Sequence, residues 1–184
     1  VMGRTIDEAL KRADDKDYRD FTASFDMLGE AARTKADADR YAEAYANALE
    51  AVGRRGNRRA HSISVKLSAL HPRYETAHAD QSLPHLKGVI ADLARRAAAL
   101  NVGLTIDAEE QDRLLLSLDI IESVARLPDL KGWDGLGMAV QAYGKRARPL
   151  VDWVEELGAS TGRRLQVRLV KGAYWDSEVK LAQV

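Results

Sequence analysis

Five times along these 184 residues, a short apolar run gives way to a longer segment of helical periodicity. This alternation limits the fold more than any other feature. Expected strands are Phe21 to Leu28, Ile63 to Leu67, Gly103 to Asp107, Gly135 to Gln141 and Leu165 to Val170. Between them the pattern predicts helices over Ala36 to Val52 (stopped by Gly53), Pro84 to Leu100 (Pro in its first turn), Glu109 to Leu127 and Lys145 to Leu157. A last helix opens at Asp176, and Thr5 to Ala13 forms a leading helix with Thr5 as its cap. Repeated β-α units call for a parallel sheet with helical crossovers. Nothing in the sequence reads as a linker, so residues 1–184 are expected to form one unit, with 1–20 as a leading helix and 21–184 as five β/α units.

Polar residues recur where these strands end: Asp26, Lys66, Asp107, Gln141 and Arg168. In parallel α/β folds that end is where ligands bind. One polar residue there is ordinarily a cap or a satisfied rim group. Five in five strands, cations and carboxylates together, favour a shared site. The last strand carries a guanidinium and runs into Lys171-Gly-Ala-Tyr-Trp-Asp-Ser-Glu178. A buried cation needs an anion or an electron-rich ring, and small residues after Lys171 let backbone approach a bulky phosphorylated ligand. These residues point to a cofactor site.

Composition excludes several classes. Lys+Arg and Asp+Glu are both 28, so no global field favours nucleic acid. With no cysteine there are no disulfides or thiolate metal sites. No apolar run reaches the roughly 18 residues of a membrane span, and Val1-Met-Gly-Arg lacks a secretory core. A cytoplasmic protein is expected. His71, His78 and His85 recur every seven residues, but prolines at 72 and 84 interrupt the run and the spacing fits no standard metal site. The basic loop Arg54 to Arg59 reads as a solvated turn, with attraction to an anionic membrane as the alternative. Glu109 and Glu110 are expected to favour the start of the following helix through its dipole, and Trp133 and Trp153 to pack.

Several blocks resemble the proline dehydrogenase family, as found in the bacterial bifunctional proline utilization A flavoenzymes. They are Phe25-Asp-Met-Leu-Gly-Glu-Ala31, Ser64-Val-Lys-Leu-Ser-Ala-Leu-His-Pro-Arg-Tyr-Glu75, Asp107-Ala-Glu-Glu110, Gly137-Met-Ala-Val-Gln-Ala-Tyr143 and Arg168 to Glu178. The resemblance implies a (β/α)8 TIM-type barrel, of which this chain supplies about the first five strands. It also implies noncovalent FAD and oxidation of L-proline to Δ1-pyrroline-5-carboxylate, with electrons passed to a membrane quinone through peripheral contact. By motif, Lys66 would meet the carboxylate of proline or its analogues, and Asp107 would shape the substrate pocket. Gln141 would bond the isoalloxazine edge and Arg168 would sit by flavin N5. Lys171, Gly172, Ala173 and Trp175 would contact the rest of FAD.

The chemistry suits these residue types. A fixed guanidinium stabilises negative charge developing on a flavin. It cannot act as a base. Lys66 alternatively forms an ion pair with Asp26 or Asp107. Because such a barrel has eight strands, the remaining three, and a final helix that in the family carries a carboxylate-gripping Arg pair, are expected from chain outside this sequence. Two other readings stay open: a Schiff-base lyase of the aldolase type using Lys66 or Lys171, and a flavin-binding fragment without catalysis.

Overall fold

The computed structural model describes residues 2–56 and 60–184, so the loop around Arg54 to Arg59 falls partly outside the described residues. Five parallel strands form one sheet in sequence order: β1 (Ser24–Asp26), β2 (Ser62–Val65), β3 (Gly103–Ile106), β4 (Leu136–Gln141) and β5 (Gln166–Val170). Six α-helices accompany them: α1 (Ile6–Ala13), α2 (Lys35–Arg54), α3 (Ala79–Ala99), α4 (Leu114–Ala125), α5 (Ala147–Thr161) and α6 (Trp175–Leu181). Each strand pairs in parallel with its successor. The architecture is half of a β/α barrel.

Register divides the strands into two rows, because successive side chains point to opposite faces. Ser24, Ser62 and Gly103 align across β1 to β3, as do Asp26, Ser64, Thr105 and Gly137 one step further along. Ala139 aligns with Arg168 across β4 and β5. This small and polar row faces the barrel axis. The alternate row, Phe25, Ile63, Val65, Leu104, Ile106, Met138 and Val140, faces the helices and is buried. It joins Tyr45, Leu49, Leu86, Ile90, Ile120 and Val124 in one core, where each large apolar side chain contributes about 1.5–3 kcal/mol.

The sheet is strongly curled. In a flat sheet β5 would lie about 14 Å from β2 and about 19 Å from β1, at roughly 4.8 Å per strand. Yet Arg168 Nη1 on β5 donates to Ser64 Oγ on β2 at 2.9 Å and to Ser24 Oγ on β1 at 3.4 Å. Small residues on the intervening strand make room: a Cβ on Gly137 would sit 2.9 Å from the Gln166 backbone oxygen.

Several boundaries differ from the sequence expectation, each for a local reason. Strand β1 ends at Asp26, as expected within the Phe21 to Leu28 run, but starts only at Ser24 and covers three residues. Asp26 Oδ1 accepts the Leu28 N–H at 3.0 Å, and Leu28 turns into the left-handed region at φ 45°. Gly53 does not stop α2, which runs to Arg54. Its missing side chain serves a close approach, since a Cβ there would lie 2.7 Å from Leu100. Helix α2 starts one residue early at Lys35, held by a reciprocal cap between Thr34 and Asp37. Pro84 neither opens nor interrupts α3, which starts at Ala79 after a 3-10 turn over Thr76–His78. Its cost is one backbone hydrogen bond near the helix start. Helix α4 begins at Leu114 rather than Glu109, behind a 3-10 turn over Gln111–Arg113. Helix α5 starts two residues late at Ala147 and extends to Thr161, where Gly162 at φ 65° ends it. Trp133 and Trp153 pack against the core.

Candidate active site

The C-terminal ends of the strands bring the predicted polar residues together. Asp26 is the last residue of β1, Gln141 is the last of β4, and Lys66 and Asp107 directly follow β2 and β3. Arg168 sits mid-strand in β5, and its side chain crosses the barrel face to join them. They line an open cleft of about 350 Å3, whose wall continues through Lys171, Gly172, Ala173 and Tyr174. That volume lies within the usual range for small-molecule sites.

Charge alternates across this face. Lys66 Nζ is 2.7 Å from Asp26 Oδ2 and 3.3 Å from Asp107 Oδ2. Arg168 Nη2 donates to Asp107 Oδ1. Asp107 therefore bridges two cations, and Lys66 two carboxylates. Burial alone would lower the Lys66 pKa, but the hydrogen bond to Asp26 and the charges of Asp107 and Asp26 outweigh it. The ammonium ends above its ordinary 10.5. A lysine held protonated in this way is a poor amine nucleophile, which weighs against Schiff-base chemistry at Lys66. The Tyr45 hydroxyl, buried behind the site and pushed up to about 12 by that burial, accepts the Lys66 backbone N–H at 3.2 Å.

Two braces hold the loops above. Gln141 donates from Nε2 to Glu109 O at 2.8 Å and accepts the Ala173 N–H on Oε1 at 3.0 Å. The amide thus ties the β3–α4 loop to the turn after β5, leaving one N–H and one lone pair for a ligand. Glu109 contributes differently from the expected helix-dipole role. It is buried and ahead of α4, and its Oε1 accepts the Ser68 N–H at 3.0 Å. Burial raises its pKa above the usual 4.5, against the opposing pull of Ser68 and Arg113.

Gly172 adopts φ 124°, and a Cβ there would clash with the Cδ1–Cε1 edge of the Tyr143 ring. Glycine is required twice over, for backbone conformation and for space. Lys171 is exposed beside it. Trp175 opens α6 largely exposed and outside the cleft lining, whereas Tyr174 lines it. The rings of His71 and His85 lie 5.4 Å apart, and His78 contacts Arg73 at 3.1 Å instead.

Sequence reasoning passed over Ser24 and Ser64, which hold Arg168, and Tyr45 and Tyr174, and it gave Glu109 a helix-start role in place of its buried bond to Ser68. The serines had a signal: Ser24-Phe-Asp26 and Ser62-Ile-Ser-Val65 alternate small polar with apolar residues, which marks an inward polar row.

A half-barrel whose strand ends converge on a charged, ligand-sized cleft has the layout of a barrel enzyme's binding face. The family model for proline dehydrogenase matches residues 9–184, and the chain belongs to that family. The bifunctional protein PutA of Escherichia coli (strain K12) is 46% identical over 188 residues, covering 100% of this chain and 14% of its own length. The Rhizobium meliloti protein of the same name is 48% identical over 189 residues, covering 100% and 15%. A crystal structure of a Bradyrhizobium japonicum proline utilization A variant superposes with a TM-score of 0.87 at 51% identity, covering 98% of this chain and 19% of that one. The chain thus spans about one seventh of the curated relatives named here. The proteins it resembles carry a parallel β/α barrel, and this chain forms five of its strands.

Proposed function

We propose that this chain forms the first five strands of a proline dehydrogenase barrel, catalysing the first step of proline catabolism. The single observation that carries this reading is the bridged charge array of Asp26, Lys66, Asp107 and Arg168, which presents two cations at one cleft. The chemistry of the donors fits a flavin. A guanidinium, a free amide N–H on Gln141 and a lysine beside a glycine turn suit an electron-poor ring bearing phosphates. Arg168, Gln141, Lys171, Gly172, Ala173 and Trp175 would hold FAD, and Lys66 would take the carboxylate of L-proline. When bound, the flavin supplies the two-electron acceptor that takes hydride from the carbon beside the ring nitrogen, giving Δ1-pyrroline-5-carboxylate as the nitrogen releases its proton.

Each protein group then has a defined task. Lys66 carries a fixed positive charge that orients one carboxylate oxygen. Asp107 holds both Lys66 and Arg168 in place, acting as an orienting carboxylate. Arg168, permanently charged, stabilises negative charge at the ring it faces. The substrate-facing side is completed by the three remaining strands and last helix of the barrel, and a quinone at the membrane accepts the electrons. Among the described residues no helix is long and apolar enough to cross a membrane. One solved relative, a proline utilization A described as having proline bound in remote sites, is 50% identical to this chain. Anaerobic mixing of the full-length enzyme with L-proline tests the reading: flavin absorbance near 450 nm should bleach. No bleaching with full flavin occupancy would leave the non-catalytic reading in its place.

A further inference from the structure

Helix α6 has no buried residue and only seven residues in all. A helix this short is marginal alone, so polar contacts must hold it and the turn before it. One carboxylate makes two of them. Glu178 Oε1 accepts the Gln111 N–H at 2.8 Å, from the loop after β3, and Oε2 accepts the Tyr143 hydroxyl, from the loop after β4. Tyr143 also packs its ring beneath Gly172 and donates its own N–H to Lys171 O at 3.3 Å. Three loops of the ligand face therefore meet on one side chain. Burial and the Glu178 charge together push the Tyr143 phenol up to about 12, so it remains a donor at neutral pH.

We propose that Glu178 is a positioning residue which, with Tyr143, latches the Lys171–Trp175 turn against the neighbouring loops and so sets where that turn meets a phosphate-bearing cofactor. This rests on the cofactor reading above. The two braces divide the work. Gln141 fixes Ala173 from within the barrel, while Glu178 fixes the helix that continues the turn from outside. Losing the outer brace frees Gly172, the residue with the widest backbone freedom in the motif.

The test uses the full-length enzyme carrying Glu178→Ala, Glu178→Gln or Tyr143→Phe. Three quantities are read: FAD affinity by titration of flavin-free protein, the visible circular dichroism of bound flavin, and amide exchange over residues 172–176 without flavin. Glu178→Ala should weaken FAD about tenfold, alter the flavin dichroism and speed exchange similarly, since both accepted bonds vanish. Tyr143→Phe should cost about threefold. Glu178→Gln, whose carbonyl can still accept one bond, should recover most of the loss, a rescue that mere bulk at this position does not predict. Wild-type affinity, dichroism and exchange in Glu178→Ala would overturn the latch. Should Glu178→Ala fail to fold, Tyr143→Phe decides by the same readouts, with unchanged values overturning the proposal. If the wild-type enzyme binds no FAD, the cofactor reading falls instead, and the exchange pattern alone supports or overturns the latch.

Discussion

Two arginines five residues apart show how the ends of this half-barrel differ. Arg163, below the sheet, is gripped by backbone. Its guanidinium donates to the carbonyls of Ala125 at 2.5 Å, Leu130 at 2.6 Å, Leu127 at 2.8 Å and Trp133 at 3.3 Å. All four lie where α4 ends and the chain turns into β4; Leu127 O and Leu130 O also accept backbone N–H groups, from Leu130 and Trp133. Arg168, at the ligand face, is held among the described residues by the side chains of Ser24, Ser64 and Asp107. Carbonyls locked by the fold cannot yield their donor to a ligand, whereas hydroxyls and a carboxylate can rotate and share. The lower arginine staples loops, and the upper one is available for chemistry.

The comparison breaks most sharply at Arg168. Replacing it by Met in the full-length enzyme should slow flavin reduction by proline by roughly 10²-fold or more, the scale of losing one preorganised donor. Folding stability should change little. Unchanged single-turnover reduction at full flavin occupancy would remove Arg168 from the chemistry.

Lys66 sharpens the same side of the contrast. Lys66→Ala should weaken proline and its carboxylate analogues by roughly 10- to 150-fold, matching a charged hydrogen bond of about 1.5–3 kcal/mol. FAD content should hold, because Lys66 follows a different strand from the Lys171 turn. Titration with a carboxylate analogue decides, and unchanged affinity would make Lys66 an ion-pair residue only.

At the lower end the outcome should invert. Arg163→Met should lower stability by about 2 kcal/mol, since among the described residues it leaves the Ala125 and Trp133 carbonyls without a donor and unties those of Leu127 and Leu130. Flavin reduction in the folded enzyme should stay near wild type. Urea unfolding monitored alongside single-turnover kinetics separates the two, and a slowed reduction with intact stability would erase the distinction between the arginines.

The smallest effect concerns Glu109. Burial raises its folded pKa above the unfolded value near 4.5. Its contribution is therefore fully present below that pH and is lost as pH rises through the folded pKa. Glu109→Gln keeps an acceptor for the Ser68 N–H and removes the titration. Its unfolding free energy should fall less steeply than wild type as pH rises above about 4.5, and identical slopes would count against the buried carboxylate as the cause. Lys66 works at the opposite end of the scale. Its raised pKa gives stability present below about 10.5 and lost above it, in an alkaline window where Lys66→Ala should be flatter.

Edges of the sheet add a second contrast. The helix-facing row is buried along β1 to β4, yet on β5 Val167 is 47% and Leu169 66% exposed. Their apolar character was readable as a strand, but which neighbour covers them is decided by chain packing beyond the strand itself. Site residues divide in the same way. Asp26, Lys66, Asp107 and Gln141 stood out because a polar residue ending an apolar run breaks a pattern, and Arg168 because a cation interrupts one. Glu109 and Glu178 did not, since a carboxylate near a helix start ordinarily means a favourable dipole.

The sequence by itself determined the alternation of strands and helices, the parallel sheet that follows from it, and the set of polar residues gathered at one end. Those depend on local periodicity, whereas the strand order was implied by the family resemblance and is seen in the structure. Only the tertiary structure decided the pairings. It made Asp107 the bridge between Lys66 and Arg168, closed Gln141 onto Glu109 and Ala173, and placed Tyr143 under Gly172. Such partners lie 29 to 61 residues apart. Most meet because their strands are neighbours in the sheet, while Arg168 on β5 reaches Asp107 beyond β3 because the sheet curls past the small residues Gly137 and Ala139 on β4.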